Sequence, residues 1–131
     1  MFKWKEEYET GNVLIDEQHK KLFEIGNSAY ELLKNDLYLD KYDRIVDIIH
    51  ELKEYTIYHF RTEEEYMLKS GFKGFFSHKV EHDDFIEKFD NIDYSRVDQG
   101  QNDYILEILN FIADWITQHI LIKDKQHSKV G

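Results

Sequence analysis

The chain predicts an all-α fold, an antiparallel up-down-up-down four-helix bundle preceded by an aromatic arm. Three observations carry that expectation. Apolar residues recur at spacings of three and four through four long stretches, the period of one buried helix face. The sequence has no proline and only six glycines, so little in it interrupts a helix. The segments between the stretches are short and polar, which suits neighbouring helices that run antiparallel. No strand-type alternation, internal repeat or low-complexity stretch competes.

Residues 1–13 read as the arm, with Trp4 and Tyr8 expected to fold over the bundle. The first helix is expected over about 16–35, opening at Asp16 as an N-cap type of residue, with Ile15, His19, Leu22, Phe23, Gly26, Ala29, Tyr30 and Leu33 inward. The second follows Asp40 over about 41–70, and Gly71 is the expected residue just past its end. Its stripe is Ile45, Ile48, Ile49, Leu52, Thr56, His59, Phe60, Glu63 and Met67. The third spans about 74–91, with Phe75, His78, His82, Phe85, Ile86 and Phe89 on one side. The polar segment from Asp93 to Gln101, containing Gly100, reads as a loop. The fourth helix covers about 102–126, with Ile105, Ile108, Leu109, Ile112, Ile116 and His119 inward.

At 131 residues the chain is the size of one domain with one core. Its formal charge of −10 disfavours nucleic acid and anionic membranes, because no basic stripe is available to release phosphate counterions. No apolar run is long enough to span a bilayer, and Met1 to Glu7 lacks a signal-peptide core. The absence of cysteine removes disulfides, thiolate-bound zinc and iron–sulfur clusters from consideration. A soluble protein of the cytoplasm is expected.

The chemistry lies in the histidines. Of seven, His19, His59, His78, His82 and His119 fall on core-facing stripes, together with Glu63. One buried histidine is ordinary; five on four helices beside a buried carboxylate need a common cause, because burying ionisable groups is costly unless they are paired or metal-bound. His59/Glu63 and His78/His82 are spaced i,i+4, so each pair shares a helix face. His119 and Asp124 are spaced i,i+5, about 140° apart around a helix, so Asp124 reaches such a site from the stripe's edge. In an up-down-up-down bundle the inward groups fall within one slab roughly 10 Å thick. His50 and His127 lie off the stripes or near the end of the chain, and both are read as surface residues. Of the runs Glu63-Glu64-Glu65 and Glu81-His82-Asp83-Asp84, only Glu63 and His82 are expected to touch metal.

Seven ligands are too many for one transition metal and suit two. Imidazole and carboxylate without thiolate fit iron, zinc, copper or manganese alike. Two six-coordinate ions need twelve bonds; five imidazoles, two bridging carboxylates and one solvent-derived bridge supply eleven. One position on one ion stays open, which suits a small exogenous ligand and is not explained by a purely structural zinc site.

The sequence resembles the hemerythrins, and among them the single-domain bacterial type, over nearly its whole length. Thr10-Gly11 with Ile15-Asp16-Glu17-Gln18-His19 and Leu22 looks like the family's first histidine motif; His59-Phe60 with Glu63-Glu64 and Met67 looks like the second. His78, His82 and Phe85 resemble the third, and Trp115-Ile116, His119-Ile120 and Asp124 the last. Gly71-Phe72-Lys73 departs from the family, where a proline often follows an aromatic residue; this bears on the turn and not on the ligands. Myohemerythrin is a familiar case of the up-down-up-down topology. The resemblance implies two iron ions with a bridging oxo or hydroxo group. It implies that His78, His82 and His119 hold the complete iron, that His19 and His59 hold the one with the open position, and that Glu63 and Asp124 bridge them.

Dioxygen is the ligand the resemblance implies, bound reversibly for storage, delivery or sensing. The absence of an attached output module in this chain favours the first two. Ile15, Phe23, Phe60 and Ile116 are the candidates for an apolar pocket wall, and Trp115 is expected to pack beside the site. The rival reading is a di-iron redox enzyme of peroxidase or oxidase type. Carboxylate-rich di-iron oxidases use paired Glu-x-x-His motifs, which the site lacks, and no organic-cofactor motif is legible.

Overall fold

Asn12, not Asp16, caps the first helix. Its side chain accepts from the Ile15 amide at 3.3 Å, and helix α1 runs Val13–Lys34, opening earlier than the expected start near 16. Asp16 is engaged elsewhere: its Oδ1 accepts from both the amide and the hydroxyl of Thr10, each at 2.8 Å, which ties the arm to the first turn of the helix. The arm itself contains a 3-10 turn, Glu6–Tyr8. Trp4, Tyr8 and Phe23 meet edge to face with centroids 5.6–5.7 Å apart, so the arm folds over α1 as expected.

The computed structural model describes residues 4–35 and 41–119. Helix α2 is Lys41–Ser70, α3 is Phe75–Asp90, a short α4 is Tyr94–Asp98, and α5 is Asn102–His119. Residues 120–126 of the expected fourth helix lie outside the described residues. Among the described residues there is no strand. The four long helices form the bundle: α1 packs along α2 and α5, α2 also packs on α3, and α4 touches α2 and α5. No helix among the described residues is long and apolar enough to cross a membrane.

The punctuation explains the turns. At the end of α2, Gly71 has φ +70°, its amide donates to Leu68 O at 3.4 Å, and the Phe72 amide donates to Met67 O at 3.0 Å. That pair of bonds is a Schellman motif, with glycine in its left-handed position. Gly100 repeats the arrangement after α4: φ is +76°, and the amides of Gly100 and Gln101 donate to Val97 O and Arg96 O at 3.0 and 3.2 Å. The expected loop 93–101 therefore holds a helical turn. Asp93 caps it by accepting from the Ser95 amide at 3.1 Å, and Val97 is buried beneath it. The end of α1 is closed from outside, where Lys41 Nζ donates to Leu33 O at 3.2 Å.

The bundle is divided along its length. One half is apolar: Leu22 and Ala29 on α1, Ile45, Ile49 and Leu52 on α2, Phe85 and Phe89 on α3, and Ile105 and Leu109 on α5 are essentially without exposure. Each of these Leu, Ile and Phe side chains stabilises the fold by about 1.5–3 kcal/mol of transfer free energy. The other half places ionisable groups on the same inward stripes.

Candidate metal centre

His19, His59, Glu63, His78, His82 and His119 are all buried, Glu63 completely so. The structure brings five of them into two overlapping groups. Ligand atoms of His19, His59 and Glu63 lie within 4.8 Å of one another, and so do those of Glu63, His82 and His119. Glu63 belongs to both. Its Oε1 is 2.7 Å from His59 Nε2, 3.9 Å from His82 Nε2 and 4.0 Å from His119 Nε2. The helical spacing produces this: His59 and Glu63 stand one turn apart on α2 and face α1, α3 and α5.

His78 stands at the edge of the second group. Its ring centroid is 5.7 Å from that of His119 and 6.2 Å from that of His82. His19 packs edge-on against His59 at 4.6 Å. Asp124 lies outside the described residues, as does His127. His50 is exposed and stacks on Tyr94 at 4.6 Å, away from the group.

The hydrogen bonds fix which nitrogen faces inward. A carboxylate only accepts, so His82 must donate from Nδ1 to Glu64 Oε2, at 3.0 Å, leaving its Nε2 lone pair pointing at the cluster. His59 Nδ1 likewise donates to Gln18 Oε1 at 2.7 Å, and His78 Nδ1 to Gly74 O at 3.2 Å. His82 Nε2 and His119 Nε2 are then 3.1 Å apart. Two nitrogens each ~2.1 Å from a common ion and near a right angle apart are ~3 Å from each other. The donor set, neutral imidazoles and carboxylate oxygens, suits a divalent transition metal, and the residues present fit one on either side of Glu63.

Three features beside the cluster differ from the sequence reading. Gln18 is buried and holds His59; its position three residues after Ile15 and four before Leu22 is the stripe signal that marks it. Glu64, in a run of which only Glu63 is expected at the metal, is half-buried between His82 and Lys79 Nζ, which is 3.4 Å away. Burial pushes the Glu64 carboxyl up; the hydrogen bond from His82 and the charges of His82 and Lys79 outweigh it and hold the group below the ordinary glutamate value. Glu81 too is half-buried, with Oε2 3.7 Å from His119 Nδ1.

A cavity of about 10 Å³ lies against the cluster, bounded by His19, Leu22, Thr56, His59, Phe60, Trp115, Ile116 and His119. Of the four candidates for a pocket wall, Phe60 and Ile116 line this cavity. Ile15 is buried but does not line it, and Phe23 is turned to Trp4 and Tyr8; Leu22 and Trp115 supply the remaining apolar wall. Trp115 stacks on His119 at 4.6 Å and on Phe85 at 3.9 Å, and Phe60 stacks on His82 at 3.8 Å. These flat contacts lock the imidazole planes.

Comparison with known proteins bears on the family and the fold. The family model of the hemerythrin HHE cation binding domain matches residues 10–126. A bacteriohemerythrin of Clostridium acetobutylicum is 52% identical over 127 residues, covering 97% of this chain and 98% of that one. A hemerythrin-like protein of Naegleria gruberi is 29% identical, covering 98% and 92% of the two chains. Among solved structures, a hemerythrin carrying a leucine-to-alanine mutation superposes with a TM-score of 0.81 at 26% identity, covering 98% of this chain and 95% of that one. With an HHE domain model spanning nearly its length and a relative more than half identical, the chain belongs to the hemerythrin family.

Proposed function

We propose that the chain takes up dioxygen reversibly at the open position of one iron of a di-iron centre held by His19, His59, Glu63, His78, His82, His119 and Asp124. The protein is a di-iron oxygen binder, not an enzyme. The ligand assignment rests on one observation above all, that a single buried carboxylate, Glu63, is common to two groups of imidazoles. His78, His82 and His119 hold one ion and His19 and His59 the other, with Glu63 and Asp124 between them. Asp124 is supported by its motif with His119 in the sequence. When bound, the iron pair supplies the electrons and the vacant position that dioxygen requires.

The chain's own residues keep that chemistry reversible. Leu22, Phe60, Trp115 and Ile116 give the cavity an apolar wall, and its volume of about 10 Å³ leaves room for about one water-sized molecule. Exclusion of water and of proton donors disfavours irreversible loss of a reduced oxygen species. Two proton donors on the cavity wall are directed elsewhere: the Thr56 hydroxyl donates to Leu52 O at 2.6 Å and His59 Nδ1 to Gln18 Oε1 at 2.7 Å. A cytoplasmic location belongs to the same proposal, supported by a chain without cysteine and so without need of an oxidising compartment.

The test is to reduce the purified protein without air, admit oxygen, and follow the visible spectrum through repeated oxygen and argon cycles. Bands that appear and vanish reversibly are expected. One-way oxidation with steady peroxide release would support the redox-enzyme reading instead, and zinc in place of iron would contradict both.

A further inference from the structure

The two groups that share Glu63 differ in what stands behind them. Behind His59 is a neutral amide: Gln18 Oε1 accepts from its Nδ1 at 2.7 Å, and Gln18 Nε2 donates onward to Thr62 Oγ1 at 3.2 Å. Behind the other group stand two carboxylates and one backbone carbonyl. Glu64 Oε2 accepts from His82 Nδ1 at 3.0 Å, Glu81 Oε2 lies 3.7 Å from His119 Nδ1, and Gly74 O accepts from His78 at 3.2 Å. A carboxylate hydrogen-bonded to the outer N–H of a ligand imidazole makes the inner nitrogen a stronger donor and so favours the more highly charged ion. An amide in the same place orients the ring with far less donation.

We infer that Glu64 and Gln18 are positioning residues that make the iron pair electronically unequal, with the ferric state favoured on the His78, His82 and His119 side and the ferrous state on the His19 and His59 side. This rests on the di-iron assignment proposed above and goes beyond it, because three imidazoles on one ion and two on the other do not say what the residues hydrogen-bonded behind them add to the difference. The geometry makes the device economical: Gln18 precedes the ligand His19 and Glu64 follows the ligand Glu63, so each partner rides on the backbone that delivers a ligand. Its consequence falls on the side where the open position is proposed, where the reduced ion is retained.

The experiment is a mediated redox titration of the iron-loaded chain, comparing the original sequence with Glu64→Gln and Gln18→Glu. Two one-electron steps are expected. Glu64→Gln should raise the lower one and Gln18→Glu should lower the higher one, each by about tenfold in the ferric-to-ferrous ratio, about 59 mV. Both variants therefore narrow the gap between the steps while moving potentials in opposite directions, which a merely structural role would not do. Potentials that stay in place with two irons bound, or that move in the same direction in both variants, would overturn the inference alone. If Glu64→Gln loses its iron, Gln18→Glu, which adds a charge and removes none, reads the same asymmetry. Loss of iron from both would assign these residues to assembly of the site and overturn the inference. An unmodified chain that takes up no iron at all would overturn the di-iron reading first, and this with it.

Discussion

Glu63 has no exposure and sits within reach of imidazoles from three other elements, a position that would be costly for a carboxylate without cations beside it. The same logic separates histidines that matter from those that do not. His82→Ala removes a buried donor and leaves Glu64 without its imidazole partner, so its iron affinity should fall by more than the ~10–100-fold that outer partners alone are worth. His50→Ala removes an exposed ring stacked on Tyr94 and should leave iron content unchanged. Iron per chain, measured on both variants, decides the matter; equal values would contradict the ligand list. At this scale the inward residues were legible because a ligand on a helix obeys the same period as a core residue. Gln18 and Glu64 were not singled out, because their roles depend on which side chain a neighbouring helix presents at 2.7 or 3.0 Å, and spacing along one helix does not contain that distance.

At the scale of elements, turns and caps carry predictions of their own. Gly71 has φ +70° and open space where a Cβ would stand, so Gly71→Ala should cost about 1–2 kcal/mol, the strain of a left-handed residue. Gly100→Ala should cost more, since at φ +76° its Cβ would come within 2.8 Å of the Tyr42 ring. That ring cannot yield cheaply, because Tyr42 Oη donates to Asn102 Oδ1 at 2.8 Å. Asn12→Ala should cost about 1 kcal/mol by removing the cap of α1. Denaturant unfolding of the three variants checks the order. The end of α2 was legible from Gly71 alone. The start of α1 was not, because Asn12 and Asp16 are both good caps and the choice is made by Thr10, which engages Asp16 across the turn. The short α4 escaped because one buried residue, Val97, shows no period.

For the whole molecule, the division into an apolar half and a half of buried ionisable groups couples metal binding to stability. The bundle packs without help around Ile45, Leu52, Phe85 and Leu109, so the metal-free chain should fold. It should nevertheless be less stable, because the clustered imidazoles and Glu63 then lack the cations that compensate their burial. With free metal at 100 times its dissociation constant, the gain over the metal-free chain is about 2.7 kcal/mol. Thermal unfolding before and after chelation should show the lower midpoint without metal; an unchanged midpoint would mean that the buried cluster does not hold it. The bundle itself was legible from period and connector length, since both are properties of the chain that survive any detail of packing. The arm's tie to α1 and the cavity wall were less so, because Phe23 lies on the inward stripe whether it faces the site or the arm, and only the position of Trp4 and Tyr8 decides between them.

The most direct measurement is the uptake of dioxygen by the reduced protein together with its iron content. A centre sharing Glu63 between two ions, with one vacancy, predicts two irons per chain and one dioxygen per iron pair, released again under argon. One iron per chain, two dioxygens per pair, or oxygen consumed and not recovered would contradict it.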